Sequence, residues 1–165
     1  MFRVSCIQLK SNNSILHNLK KTEKLISKAV KQKTDFILTP EISSLFSLNK
    51  KQLLKICKSM KEDIYLNGIK KLAKKHKKWI LVGSLITKVT ENKLVNRSVL
   101  VDKTGKIRTF YDKIHMYDAA LSKKEKYFES KTFSAGKQIK SFNLPWGKLG
   151  LSICYDLRFP NMYRK

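Results

Sequence analysis

The chain has 165 residues, 42% of them hydrophobic and 10% aromatic. That is enough to build one domain with a real core, and too apolar for a disordered segment. The net charge of +24 argues for weak, salt-sensitive attraction to polyanions and against specific nucleic-acid reading, because nearly all the cations are Lys spread over the whole chain and specific readers favour Arg.

In chain order, residues 2–9 read as a buried first strand, and Ser11 to Ser14 as a turn with good N-cap candidates. Leu16, Leu19, Ile26, Ala29 and Val30 recur at helical spacing, which predicts an amphipathic helix over 15–32. The apolar run 35–39 predicts a short strand ended by Pro40. Glu41 follows at once, where α/β sheets place their chemistry. Residues 42–49 read as a loop, and 50–60 with 62–76 as one interrupted helix or two. Leu53, Leu54, Cys57, Ile69, Leu72 and Ala73 form their inner face. A strand is predicted over 79–87, with Gly83 marking a bulge or a close backbone approach. Its return follows over 94–102, and a turn at 103–106 leads to a third strand from Ile107 to Tyr111. This order predicts a layered α/β domain with a mixed sheet. Residues 112–138 show no single periodicity, and their Lys113, His115, Tyr117 and Glu129 favour an ordered functional loop. Residues 139–144 form a short strand and Pro145 to Gly147 a turn.

The stretch GKLGLSICYDLRFP, 147–160, then reads as a buried strand ending at Cys154 and turning into a helix over 159–165. A thiol at such a junction lies near the positive end of a helix dipole, which is expected to lower its pKa and favour the nucleophilic thiolate. The plainer alternative is a small buried hydrophobe. Cys6, Cys57 and Cys154 form neither a disulfide framework nor a CxxC pair, and point to a reducing compartment, the cytoplasm. No apolar run approaches the roughly 18 residues of a membrane span. The opening MFRVSCIQLK lacks an h-region and a cleavage site, which argues against secretion. No Cys/His cluster has metal-ligand spacing, and His17, His76 and His115 are scattered.

Four segments taken together go further: TPE at 39–41, YDKIHMYD at 111–118, FES at 128–130 and GLSICYDLRFP at 150–160. Gln8, the Gly83-Ser84 pair and Asn96 support them. In order and spacing the chain resembles the carbon–nitrogen hydrolase (nitrilase) superfamily, in its branch of nitrilase-like ω-amidases and deaminated-glutathione amidases. The resemblance implies the N-terminal part of a four-layer αββα sandwich, with residues 1–165 forming one carbon–nitrogen hydrolase domain incomplete at its C-terminus. It implies Glu41 as general base, Lys113 as oxyanion stabiliser, Cys154 as nucleophile and Glu129 as a second, positioning carboxylate. The Tyr155 backbone N–H, just past the nucleophile, is the expected second oxyanion donor. His115 either orients the Lys113 loop or is merely structural.

These roles fit the chemistry. A thiol needs a base to become nucleophilic at neutral pH. Its attack on an amide creates an oxyanion that a nearby ammonium stabilises. No metal and no organic cofactor is required. The implied activity is hydrolysis of a small ω-amide or deaminated glutathione through a thioester, with release of ammonia. Nitrile or N-carbamoyl hydrolysis is the alternative within the same chemistry. The partners implied are a small-molecule amide and a second copy of the full-length chain, with no membrane and only non-specific nucleic acid. The loop 119–126 lacks the Pro-Gly segment common in relatives, so substrate identity does not carry over. A reading from another class is a non-catalytic remnant whose Lys-rich surface binds polyanions or a partner chain.

Overall fold

The computed structural model describes residues 2–120, 122 and 125–164. Its main sheet has five strands in chain order: β1 (Val4–Cys6), β2 (Phe36–Leu38), β3 (Trp79–Thr90), β4 (Lys93–Val101) and β5 (Ile107–Asp112). β1, β2 and β3 run parallel, and β4 and β5 return antiparallel. The parallel crossovers carry α1 (Ile15–Lys31), α2 (Lys50–Ile56) and α3 (Ile64–His76). α1 starts where Ser14 accepts the His17 N–H, and α3 where Asp63 accepts the Leu66 N–H. Both are side-chain N-caps that satisfy donors the helix leaves orphaned.

The period-2 alternation of the strands sorts the core onto two faces. Ile37, Ile80, Val82, Val99 and Val101 face α1 and α3, where Ile26, Leu66, Ile69 and Leu72 are buried. Phe36, Leu81, Leu100 and Tyr111 face the opposite way, onto Leu151, Ile153 and Met162. That second side is covered by a hairpin of β8 (Lys140–Leu144) and β9 (Gly147–Leu151) and by the short α4 (Pro160–Tyr163). The layers therefore stack helix, sheet, sheet. This agrees with the expected mixed sheet and with the first three layers of an αββα sandwich. No helix among the described residues is long and apolar enough to cross a membrane.

Four local expectations are corrected. The first strand is not buried: Phe2 is 42% and Val4 46% exposed at the sheet edge. Leu16 lies on the open side of α1 and is 65% exposed. The stretch 112–138 is not irregular throughout. It contains a second hairpin, β6 (Asp118–Ala120) with β7 (Lys126–Phe128), and a 3₁₀ turn over Glu129–Lys131. Three-residue strands are too short to carry a periodicity. The buried strand expected before Cys154 ends at Leu151 with only one side covered. It is followed by a 3₁₀ turn over Cys154–Arg158, and α4 starts only at Pro160. Of the loop 119–126, Leu121, Lys123 and Lys124 lie outside the described residues.

Candidate active site

Glu41 is placed by a tight splice between the end of β2 and a bulge in β3. The pairing of β3 with β4 shifts register between Val82 and Leu85, and Gly83 and Ser84 occupy the irregularity. The Gly83 N–H donates to Thr39 Oγ1 at 3.2 Å, and the Ser84 N–H donates to the Pro40 carbonyl at 2.9 Å. Ser84 Oγ accepts the Ile42 N–H at 2.9 Å and so holds the residue after Glu41. A Cβ on Gly83 would lie 1.9 Å from the Thr39 carbonyl oxygen, so only glycine fits. Ile42 sits at φ 51, a left-handed conformation that costs a β-branched residue energy and is tolerated where surrounding contacts over-determine it.

Lys113 follows β5. Its backbone N–H donates to the Asn96 carbonyl at 2.9 Å, and its own carbonyl accepts the Gly136 N–H at 2.8 Å. The side chain is 2% exposed. Its ammonium reaches Glu41 Oε1 at 3.0 Å and Glu129 at 3.0 and 2.8 Å. The 118–128 hairpin folds Glu129 back to this point, where the Tyr117 N–H donates to Glu129 Oε2 at 2.7 Å. Burial alone would lower the Lys113 pKa. The hydrogen bond to Glu129 and the charges of Glu41 and Glu129 outweigh it, so the ammonium is held above its usual range. Asn96, fully buried in β4, donates to Glu41 Oε1 at 2.8 Å and Glu129 Oε1 at 3.4 Å.

Cys154 opens the 3₁₀ turn after β9 at φ 47, a conformation rare for a residue with a Cβ. With Glu41, Lys113 and Glu129 it lines one cavity of about 480 Å³, whose wall also includes Phe46, Tyr117 and Phe133. All four side chains expected from the sequence therefore converge. The expectation for the thiol itself is overturned. Partial burial and the charge and hydrogen bonding of Glu41 push its pKa above the ordinary value, and Lys113 offsets this only in part. A 3₁₀ turn of five residues supplies little dipole, and the Glu41 carboxylate outweighs the Lys113 ammonium.

Tyr155 is not among the residues lining the cavity, and its ring packs edge-on to Tyr117 and Phe159. It follows Cys154 directly in the chain. His115 stacks on Phe159 with ring centroids 3.6 Å apart and lies 2.7 Å from Asp156 through Nδ1. Sequence reasoning missed two contributors. Asn96 carried only a supporting match, although a carboxamide next to two carboxylates presents its NH₂ to both. Asp156 stood inside the CYDLRF run, and no periodicity signals a buried aspartate. Among the described residues no His/Cys/Asp/Glu group has the arrangement to hold a metal ion.

Comparisons with known proteins give the family. The carbon-nitrogen hydrolase family matches residues 3–165. The nitrilase and fragile histidine triad fusion protein NitFhit of Caenorhabditis elegans is 31% identical over 163 residues, 96% of this chain and 37% of that protein. Its crystal structure matches with a TM-score of 0.87 at 30% identity, covering 98% of this chain and 40% of that one. The deaminated glutathione amidase of Dictyostelium discoideum is 34% identical over 172 residues, 98% of this chain and 58% of the amidase. Saccharomyces cerevisiae Nit3, described as a member of branch 10 of the nitrilase superfamily, matches with a TM-score of 0.82 at 25% identity, covering 98% of this chain and 58% of that one. The chain thus spans between 37% and 58% of the length of these relatives. Sequence, fold and the convergence of Glu41, Lys113, Glu129 and Cys154 lead to one conclusion: the chain belongs to the carbon-nitrogen hydrolase family.

Proposed function

We propose that the protein is a cysteine-dependent amidase acting on a small linear ω-amide or on deaminated glutathione. The observation that carries this reading is the single ammonium of Lys113 held between Glu41 and Glu129 in the cavity that Cys154 lines. The names of the relatives, deaminated glutathione amidase and omega-amidase, support the substrate class.

In this reading Glu41 accepts the thiol proton as the Cys154 sulfur attacks the amide carbonyl carbon. A raised thiol pKa means that the nucleophile is generated at the moment of attack instead of standing as a thiolate. The carbonyl electron pair moves onto oxygen. That oxyanion is met by a Lys113 N–H turned from one of its two Glu129 contacts, and by the Tyr155 N–H. Collapse of the intermediate breaks the C–N bond, and the amine takes the proton from Glu41 and leaves as ammonia. Water then gives its proton to Glu41 while adding to the thioester. The second intermediate expels sulfur, which recovers the proton from Glu41, and the carboxylic acid product departs and gives its remaining proton to solvent. Glu129 holds Lys113 in place and keeps its charge balanced. The lysine-rich surface attracts anionic substrates without selecting among them.

The test is ammonia release from a panel of ω-amides, nitriles and N-carbamoyl compounds by the 165-residue chain, with Cys154→Ala alongside. Turnover of an ω-amide that disappears in Cys154→Ala is expected. A folded chain with no turnover of any panel member, or turnover that survives Cys154→Ala, would overturn the reading. Salt-dependent RNA binding without turnover would favour the polyanion-binding alternative.

A further inference from the structure

Asp156 is fully buried, and every hydrogen bond its carboxylate accepts comes from one of two segments. Oδ2 accepts the Tyr111 hydroxyl at 2.6 Å and the Ile153 N–H at 2.9 Å. Oδ1 accepts the His115 N–H at 3.0 Å and lies 2.7 Å from His115 Nδ1. The Tyr111 oxygen in turn accepts the Ile114 N–H at 3.1 Å. Tyr111, Ile114 and His115 flank Lys113, and Ile153 and Asp156 flank Cys154. One carboxylate therefore ties the strand end that carries the ammonium to the turn that carries the thiol.

The same group also closes the turn around the nucleophile. The Asp156 N–H donates to the Ile153 carbonyl at 3.1 Å while the Ile153 N–H donates to Asp156 Oδ2. Cys154 lies inside this reciprocal pair at φ 47. A left-handed residue with a Cβ persists only where its neighbours over-determine it. A buried carboxylate with four donors is rigid, because giving up any one of them leaves an unpaired buried group. His115 is fixed in turn by its face-to-face stack on Phe159.

We propose that Asp156, held by Tyr111 and His115, is a positioning residue that sets the placement of the Cys154 sulfur against Lys113 and Glu41. It touches no substrate and acts through the backbone on either side of the two reacting side chains. The inference rests on the amidase reading above for its kinetic consequences, but not for its structural ones. Release of the clamp lets Cys154 relax to an ordinary backbone conformation and swing away from the Glu41 carboxylate. Turnover then falls because misplacement by about 1 Å is enough to cost two orders of magnitude. The released thiol, no longer beside the carboxylate, becomes more reactive toward a simple alkylating agent.

The experiment uses Asp156→Asn, which keeps the shape but faces donors with a donor, and Tyr111→Phe, which removes one hydrogen bond. Cooperative thermal melting confirms folding. The readouts are kcat and KM on the best ω-amide, and the rate of Cys154 alkylation by iodoacetamide, followed on its own peptide because Cys6 is also exposed. Folded Asp156→Asn is expected to lose about 100-fold in kcat, with KM changed by less than about threefold, and to alkylate severalfold faster. Tyr111→Phe is expected to move both readouts the same way and less far. A folded Asp156→Asn with kcat and alkylation rate both unchanged overturns the proposal, as does a rise in KM alone. If Asp156→Asn does not fold, Tyr111→Phe decides by the same criteria. If the wild-type chain turns over no amide, the amidase reading fails but the alkylation rates still decide: faster in the variants supports the clamp, unchanged refutes it.

Discussion

The Asn96 carboxamide bridges Glu41 and Glu129, donating at 2.8 Å to one and 3.4 Å to the other, while the Lys113 ammonium neutralises the same two carboxylates from a second direction. The site thus holds two negative groups on one buried cation and one neutral donor. Asn96→Asp puts a third carboxylate there with no added cation. Like charges at this distance force proton uptake or separation. The expected result is a loss of about 3 kcal/mol in stability by urea unfolding and a fall of about 100-fold in kcat/KM. Unchanged values for both would show that Asn96 does not hold the carboxylates.

The thiol pKa is raised first by burial and next by Glu41. Removing that charge should therefore lower it. In Glu41→Gln the pH midpoint of Cys154 alkylation is expected to move down, giving faster alkylation near neutral pH. Amide turnover is expected to fall by about 1,000-fold with loss of the base. The two readouts move in opposite directions, and a midpoint that stays put or rises would contradict the placement of Glu41 against Cys154.

Gly83 carries the splice behind Glu41. A methyl group there would meet the Thr39 carbonyl oxygen at 1.9 Å, a backbone atom that has no room to yield. Gly83→Ala is expected to destabilise the fold by about 3 kcal/mol and to lower kcat, because the strand that moves leads into Glu41. Chemical denaturation and steady-state kinetics of the one variant check both halves.

Asp63 caps α3 while 3% exposed. Burial raises its pKa from 3.8 to about 6, although the Leu66 and Tyr65 N–H groups pull it down. Folding therefore takes up a proton between these two values. Stability falls as pH rises through that window, and at pH 7 the ionised carboxylate bears the full cost. Asn caps as well as Asp and carries no charge. Asp63→Asn is expected to stabilise the protein by about 1–2 kcal/mol at pH 7, with the gain vanishing near pH 4. Urea unfolding at both pH values checks it, and a gain of equal size at pH 4 would rule out the titration of Asp63 as its source.

Much of this was legible along the chain. The apolar runs that became β2 to β5 lie where alternation and turn residues place them, because a strand buried by its neighbours needs only its own period to be recognised. Helix α1 shows its cap, and α1 and α3 show their inner faces, for the same local reason. Gly83 was readable as a close approach because glycine in an apolar strand has few other causes. The edge position of β1 was not readable, since FRVSCIQL has the same pattern whether or not another strand covers it.

Read along the chain, the resemblance to the carbon–nitrogen hydrolase family singled out Glu41, Lys113, Glu129 and Cys154 as candidate site residues. Their arrangement in space came from the tertiary structure alone. It put Cys154 beside a carboxylate instead of a helix dipole and so reversed the sense of the expected pKa shift. It also gave Asn96 and Asp156 their tasks, bridging two carboxylates and tying two loops. Charge interactions and buried hydrogen bonds depend on distance through space between segments far apart in the chain, and local pattern does not encode that distance.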